Sequence, residues 1–365
     1  MESIESKYAR LLVNYSLKLQ KGQRLLIVSS YQAEPLIREV YREAVRAGAF
    51  VDTKVALSGL EKIWYDHASE DQLRYVSPLT KYVYENYEAL LHIEALFNVK
   101  ELQNVDAGKK QTAQMARAEL NKIFMRRAAA KELKWTLCVW PTDTMAQESG
   151  MSREEYAQFV FGGCYLYDED PVAKWNEIEC EQQRMVDRLN KATTVRFTGK
   201  DIDISCSTQG RTWINSVGDN NMPSGEVFTG PVEESVNGHI RFSYPGIYMG
   251  QEIEDISLEV KDGEIVKGTA KKGQDLLDKI LQIPGAKRFG EIAVGTNYNI
   301  QKFTRNMLFD EKIGGTIHFA IGAAYPETGA KNESSVHWDL LADMKDGGRI
   351  YADGEVVYEN GRFII

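Results

Sequence analysis

The sequence is short of the residues that most often announce a function. It has only four cysteines in 365 residues. Cys138, Cys164, Cys180 and Cys206 stand far apart with no Cys-x-x-Cys pair, which excludes a disulfide or cysteine–zinc framework and leaves them as expected buried thiols. No apolar run reaches the roughly 18 residues that a membrane-spanning helix requires. The opening MESIESKYARLL is charged and amphipathic where a secretory signal is apolar, so a cytoplasmic protein with no membrane partner is expected. Glycine strings of the dinucleotide-binding or phosphate-loop kind are missing: Tyr31-Gln-Ala-Glu-Pro35 follows the first strand where such glycines would fall. A net charge of −9 excludes an extended nucleic-acid surface, which needs clustered lysine and arginine. There is no internal repeat and no low-complexity segment.

What the chain does contain divides into two textures, and its length favours two domains. Residues 2 to 21 have helical spacing, with Tyr8, Leu11, Leu12, Tyr15 and Leu19 on one stripe ahead of Gly22. A strand at Arg24 to Ser30, a helix from Glu34 to Ala47 closed by Gly48, and a strand near Phe50 to Leu57 form a βαβ unit. Further strands are expected at Leu90 to Glu94 and Lys134 to Trp140, which makes residues 1–192 an α/β domain with an open, mostly parallel sheet. Its expected roles are scaffold and dimer surface. Ser152 to Ala192 reads as helical. From about 193 to 365, short alternating strands and tight turns such as Lys261-Asp-Gly263 and Asp353-Gly354 predict an α+β domain, interrupted by one helix at Gly273 to Ile283.

Two of the five histidines draw attention to Gly315–Asp339. In a strand, Thr316, His318 and Ala320 face one way and Ile317, Phe319 and Ile321 the other, which holds a polar ligand above a packed sheet. The same period of two brings His337 and Asp339 onto one face, about 6 to 7 Å apart along the strand, a spacing that suits one divalent cation. Of the remaining histidines, His67 and His239 read as surface residues and His92 as a hydrogen-bonded core residue. Acidic partners are expected beside glycines or at strand ends: Glu226 after Ser224-Gly225, Glu291 after Phe289-Gly290, and Glu311 ahead of the His318 strand. Composition alone does not select these three from 53 acids.

The strings MPSGEVFTGP, FGEIAVGTN, LFDEKIGGTIHFAIGAAYP and SSVHWD, in that order through most of residues 193 to 345, resemble the metal-binding signature of the aminopeptidase T family of thermophilic-type metallo-aminopeptidases. The KGQRLLI and REAVRAGA segments near the N-terminus fit the same family. The resemblance implies Glu226, Glu291, Glu311 and His318 around one metal ion. It makes Glu291 the bridge to a second ion held by His337 and Asp339, and it puts Tyr325 on the family's active-site tyrosine. It also implies peptide substrates with a free N-terminus and a homodimer. Two divalent ions of the Zn²⁺, Co²⁺ or Mn²⁺ type suit such a carboxylate and imidazole set, and ligand type alone does not choose among them. Compared with the family pattern, the interval from Glu311 to His318 is two residues longer and the segment between Tyr325 and His337 is shorter. The expected function is release of N-terminal residues from peptides, against two alternatives: an amidohydrolase with one narrow substrate, or a binding protein without turnover.

Overall fold

The computed structural model of the protein describes residues 2–364. Contacts group the chain into two compact units, Met1–Lys174 with Gly218–Pro223, and Trp175–Val217 with Ser224–Ile365. The expected parallel α/β region and antiparallel sheets are both present.

The first unit is built on a parallel sheet. Its strands lie in the order Phe50–Ala56, Arg24–Ser30, Ala89–Glu94, Lys134–Val139 and the short Asn221–Met222. The helix Glu34–Arg46 starts at a proline in its first turn and buries Leu36, Ile37, Val40 and Ala44 of the stripe that its 3.6-residue period predicts, while Tyr41 and Val45 at the edge of that stripe are exposed. Gly48 follows at φ +82°, the left-handed conformation that ends helices cheaply at glycine. Three details depart from expectation. The N-terminal helix is α-helical only over Ile4–Arg10 and continues as a π-helix over Leu11–Ser16, although Tyr8, Leu11, Leu12, Tyr15 and Leu19 are all buried as their spacing implies. Ser152 to Ala192 holds two helices, Arg153–Gly163 and Pro171–Leu189. His92 is exposed, because it alternates with Leu91 and Ile93 and those two take the covered face of the strand.

The second unit is dominated by antiparallel strands. An eight-stranded sheet runs Glu264–Thr269, Ser257–Lys261, Asn237–Arg241, Ile202–Ser207, Thr194–Gly199, Arg349–Ala352, Glu355–Glu359 and Arg362–Phe363. A five-stranded sheet runs His337–Asp343, Thr316–Gly322, Phe289–Gly295, Glu226–Thr229 and Ile214–Ser216. Both sheets contribute to one core, with Val195, Phe197, Ile204 and Leu258 from the first and Ile292, Ile317, Phe319 and Leu340 from the second. Cys138, Cys164 and Cys206 are buried thiols outside any disulfide, whereas Cys180, on the helix Pro171–Leu189, is exposed. Among the described residues no helix is long and apolar enough to cross a membrane.

Phe319 anchors this core. It is 1% exposed and meets Phe197 and Phe289 edge-on at ring distances of 5.2 and 5.1 Å. Phe319→Ala is expected to cost about 3–5 kcal/mol of stability, measured by denaturant unfolding. A loss below about 1 kcal/mol would show that the pocket collapses around the deletion.

Candidate metal centre

The five-stranded sheet separates two chemistries by its pleat. Cross-strand partners share a face, and the register pairs Glu226 with Gly295, Ala293 with His318, Glu291 with Ala320, Ala320 with Asp339 and Gly322 with His337. Glu226, Glu291, His318, His337 and Asp339 therefore rise from one face, over a floor of Ala293, Gly295 and Ala320. The opposite face carries Val227, Ile292, Val294, Ile317, Phe319, Ile321, Trp338 and Leu340, all in the core. The sequence places Glu291 two residues after Phe289, and regular alternation would put both on one face. A β-bulge at Gly290 prevents this: Phe289 pairs with Ile321 and Glu291 with the next residue, Ala320, so the phenylalanine turns into the core and the glutamate turns to the ligand face. Only glycine fits at the bulge, since a Cβ there would lie 2.2 Å from the Ala323 carbonyl oxygen. Gly225, just before Glu226, has φ +118° and would place a Cβ 2.8 Å from Asn297 Cβ.

The side chains converge closely. Glu291 uses its two oxygens on different imidazoles, Oε1 at 3.6 Å from His318 Nε2 and Oε2 at 3.2 Å from His337 Nε2. His318 Nε2 is also 3.4 Å from Glu226 Oε2, and His337 Nε2 is 3.6 Å from Asp339 Oδ1. His337 Nδ1 lies 2.8 Å from the Ala323 carbonyl oxygen, and a proton on Nδ1 donates there, which reserves Nε2 for the carboxylates or for a metal ion. Three overlapping groups have ligand atoms within 4.8 Å of one another: Glu226, Glu291 and His318; Glu291, His337 and Asp339; and Glu311, His318 and Asp339. Glu311 thus lies within reach of the cluster. Glu226 Oε2 and Asp339 Oδ1 are buried without a hydrogen-bond partner, a costly state for carboxylate oxygens that bound cations relieve. The donor set and its unsatisfied atoms fit divalent metal.

Electrostatics in the cluster are governed by burial and mutual compensation. Burial alone would lower the imidazole pKa values, but hydrogen bonding to Glu291 and the charge of Glu226 push His318 up to about 9. Asp339 and Glu291 likewise outweigh burial at His337 and push it up to about 11. Glu291 and Asp339 are held below the usual carboxylate range, burial being overcome by their histidine neighbours. Glu311 is pushed up to about 7, first by burial and then by Glu226 and Asp339, with Lys312 opposing. Tyr325 stands at the edge of the cluster, 39% exposed, its ring 4.9 Å from that of His337 and 5.6 Å from that of Phe228. Burial and the charges of Glu291 and Asp339 raise its phenol pKa, so the hydroxyl keeps its proton and remains a donor.

Two neighbours were not anticipated from the sequence. Lys312 reads as a surface residue in a turn but is 1% exposed, its ammonium donating to Glu226 Oε1 at 2.5 Å and to Glu311. Its pKa is raised, because those carboxylates outweigh the cost of burial. Gln182, on the long helix Pro171–Leu189, is 2% exposed. Its Nε2 donates to the Glu226 carbonyl oxygen at 3.1 Å, to Asn215 Oδ1 at 2.8 Å and to the Ser216 carbonyl oxygen at 3.2 Å, and its Oε1 accepts from Thr296 Oγ1 at 2.8 Å. The one signal in the sequence for Lys312 is its place beside Glu311 in a conspicuous motif. Nothing local marks Gln182, whose partners are 33 or more residues away.

Comparison with known proteins accords with this geometry. The family model described as thermophilic metalloprotease (M29) matches residues 2–363, and the chain belongs to that family, whose members require a divalent metal. Among curated relatives, it is similar to Aminopeptidase 2 of Geobacillus stearothermophilus, 29% identical with 97% of each chain covered, and to Aminopeptidase T of Thermus aquaticus, 26% identical with 99% of this chain and 98% of that one covered. Its fold is similar to that of wild-type AmpT from Thermus thermophilus, with a TM-score of 0.85 over 99% of both chains at 24% identity.

Gln182→Leu leaves the Thr296 hydroxyl and the Glu226 carbonyl without their partner. It is expected to cost about 1–3 kcal/mol in unfolding experiments and to weaken metal binding by about 10- to 100-fold in equilibrium dialysis, as losses of supporting hydrogen bonds do. Unchanged affinity would show that the Glu226 backbone is held without it.

Proposed function

We infer that the protein is a metal-dependent aminopeptidase that releases N-terminal residues from peptides. The observation that carries this reading is the double engagement of Glu291, one oxygen toward His318 and the other toward His337, on a sheet face floored by alanine and glycine. A carboxylate so placed would serve two neighbouring cation positions. One position is formed by Glu226, Glu291 and His318, the other by Glu291, His337 and Asp339, and Glu311 adds a ligand beside His318 and Asp339. We assign two divalent ions, of the Zn²⁺, Co²⁺ or Mn²⁺ type, to these positions. Bound there, such ions supply Lewis acidity toward a peptide carbonyl and toward water, whose pKa they bring near neutrality.

The chain's own residues do the rest. Glu291 holds the two positions together. Tyr325, kept protonated, donates its hydroxyl to the oxyanion that develops on the scissile carbonyl, where charge appears only in the transition state. The carboxylate-rich wall suits the free α-ammonium of a peptide substrate. The enzyme is proposed to act in the cytoplasm as a homodimer. An amidohydrolase with one narrow substrate and a binding protein without turnover are both disfavoured, because the relatives matched along nearly their whole length are named aminopeptidases.

The test is metal content by elemental analysis, paired with hydrolysis of a panel of aminoacyl chromogenic amides before and after chelation. Two ions per chain and broad cleavage that is lost on chelation and regained with metal are expected; inactive protein after metal reconstitution would overturn the reading. Glu291→Ala should lower kcat/KM by about three orders of magnitude or more, the scale of several kcal/mol of lost transition-state stabilisation. Tyr325→Phe is expected to lower kcat by about 10²–10³ with little change in KM, as losing one oxyanion donor does elsewhere. A rise in KM at constant kcat would make it a substrate-binding residue instead.

A further inference from the structure

The candidate ion positions differ in one respect that the ligands themselves do not reveal. Lys312 follows the short helix Met307–Asp310 and Glu311, and its carbonyl oxygen is pinned by the Asn297 N–H at 3.0 Å. The side chain is thereby turned inward to a site where it is 1% exposed, with its ammonium between Glu226 Oε1 and Glu311 Oε1. Glu226 belongs to the group with Glu291 and His318, and Glu311 to the group with His318 and Asp339. Two of the three groups therefore contain a carboxylate already engaged by a fixed positive charge. Glu291, His337 and Asp339 form the third, which no hydrogen bond from Lys312 reaches among the described residues; the lysine's charge acts there only on Asp339, and less than either histidine does. A divalent ion entering either of the first two groups must share a carboxylate with an ammonium and approach a like charge at a depth where water screens poorly.

We propose that Lys312 makes the two ion positions unequal: an ion at Glu291, His337 and Asp339 binds first and tightly, and an ion drawn onto Glu226 and His318 binds second and weakly, in competition with the lysine. This rests on the metallo-aminopeptidase reading above. At low ion concentration the site then holds one divalent ion and one ammonium, and the second position fills only as free ion rises. The lysine acts as a built-in cation that keeps Glu226 and Glu311 paired until displaced, so that buried carboxylates are never left unpartnered.

The experiment uses the full-length protein, stripped by chelation and titrated with Co²⁺, with bound ion read by equilibrium dialysis and by visible absorption. Two steps separated by about tenfold or more in dissociation constant are expected. Lys312→Gln should tighten the second step by about tenfold or more while moving the first by less than about threefold, and Lys312→Arg should keep the steps apart. His337→Ala should remove the tight step. Equal affinities at both positions in the wild type, or an unchanged second step in Lys312→Gln, would overturn the proposal. If Lys312→Gln fails to fold, judged by its melting curve, the wild-type isotherm decides alone. Protein that binds no Co²⁺ and cleaves no aminoacyl amide would instead overturn the metallo-aminopeptidase reading.

Discussion

Four carboxylates, Glu226, Glu291, Glu311 and Asp339, are gathered beside one face of a sheet whose other face is the core of the unit, and this concentration of negative charge is the constraint on which the rest depends. Ionised groups out of water must be paired or must bind cations. The protein meets that demand with two imidazoles, one ammonium and a donor set suited to divalent ions. Each counter-charge is placed by the fold: the imidazole of His337 faces Glu291 and Asp339, and the ammonium of Lys312 sits between Glu226 and Glu311.

The sheet is the means by which such a cluster is tolerated. Strands place alternate residues on opposite faces, so one sequence segment supplies both ligand and packing. Thr316–Gly322 illustrates the economy: His318 rises into the cluster while Ile317, Phe319 and Ile321 lock the strand from beneath. Rigid support from a packed core keeps ligand atoms within the few tenths of an ångström that metal sites need, and the small residues between the ligands leave space above them.

Much of this was legible in the sequence, for physical reasons. The period of two in the His318 and His337 strands fixed which side chains share a face, because the pleat has no other option. The βαβ opening was readable because Leu36, Ile37, Val40 and Ala44 keep a helical stripe between two strands. Other features were hidden. The turn of Glu291 away from Phe289 depends on a bulge, which breaks the periodicity on which such readings rely. Lys312 lies in a glycine-bearing turn where lysines are normally solvated, and its burial follows from acids 86 residues upstream and one residue before it. Cys180 is exposed although its residue type favours the interior, since position on a helix outranks composition. Gln182 illustrates the general limit: a residue whose importance consists of long-range hydrogen bonds leaves no local trace.

The bulge at Gly290 sets how this strand tolerates a change of length. Point substitutions alter one side chain at a time, but losing a residue between Glu291 and Gly295 would slide Phe289 and Glu291 by one position and exchange their faces, sending the glutamate into the core and the phenylalanine into the acidic cluster. The strand is therefore intolerant of length changes beyond the bulge, whereas the turns that flank it carry no such phase. Loops at the ends of this sheet can thus change length while the strands that carry the cluster stay locked in phase.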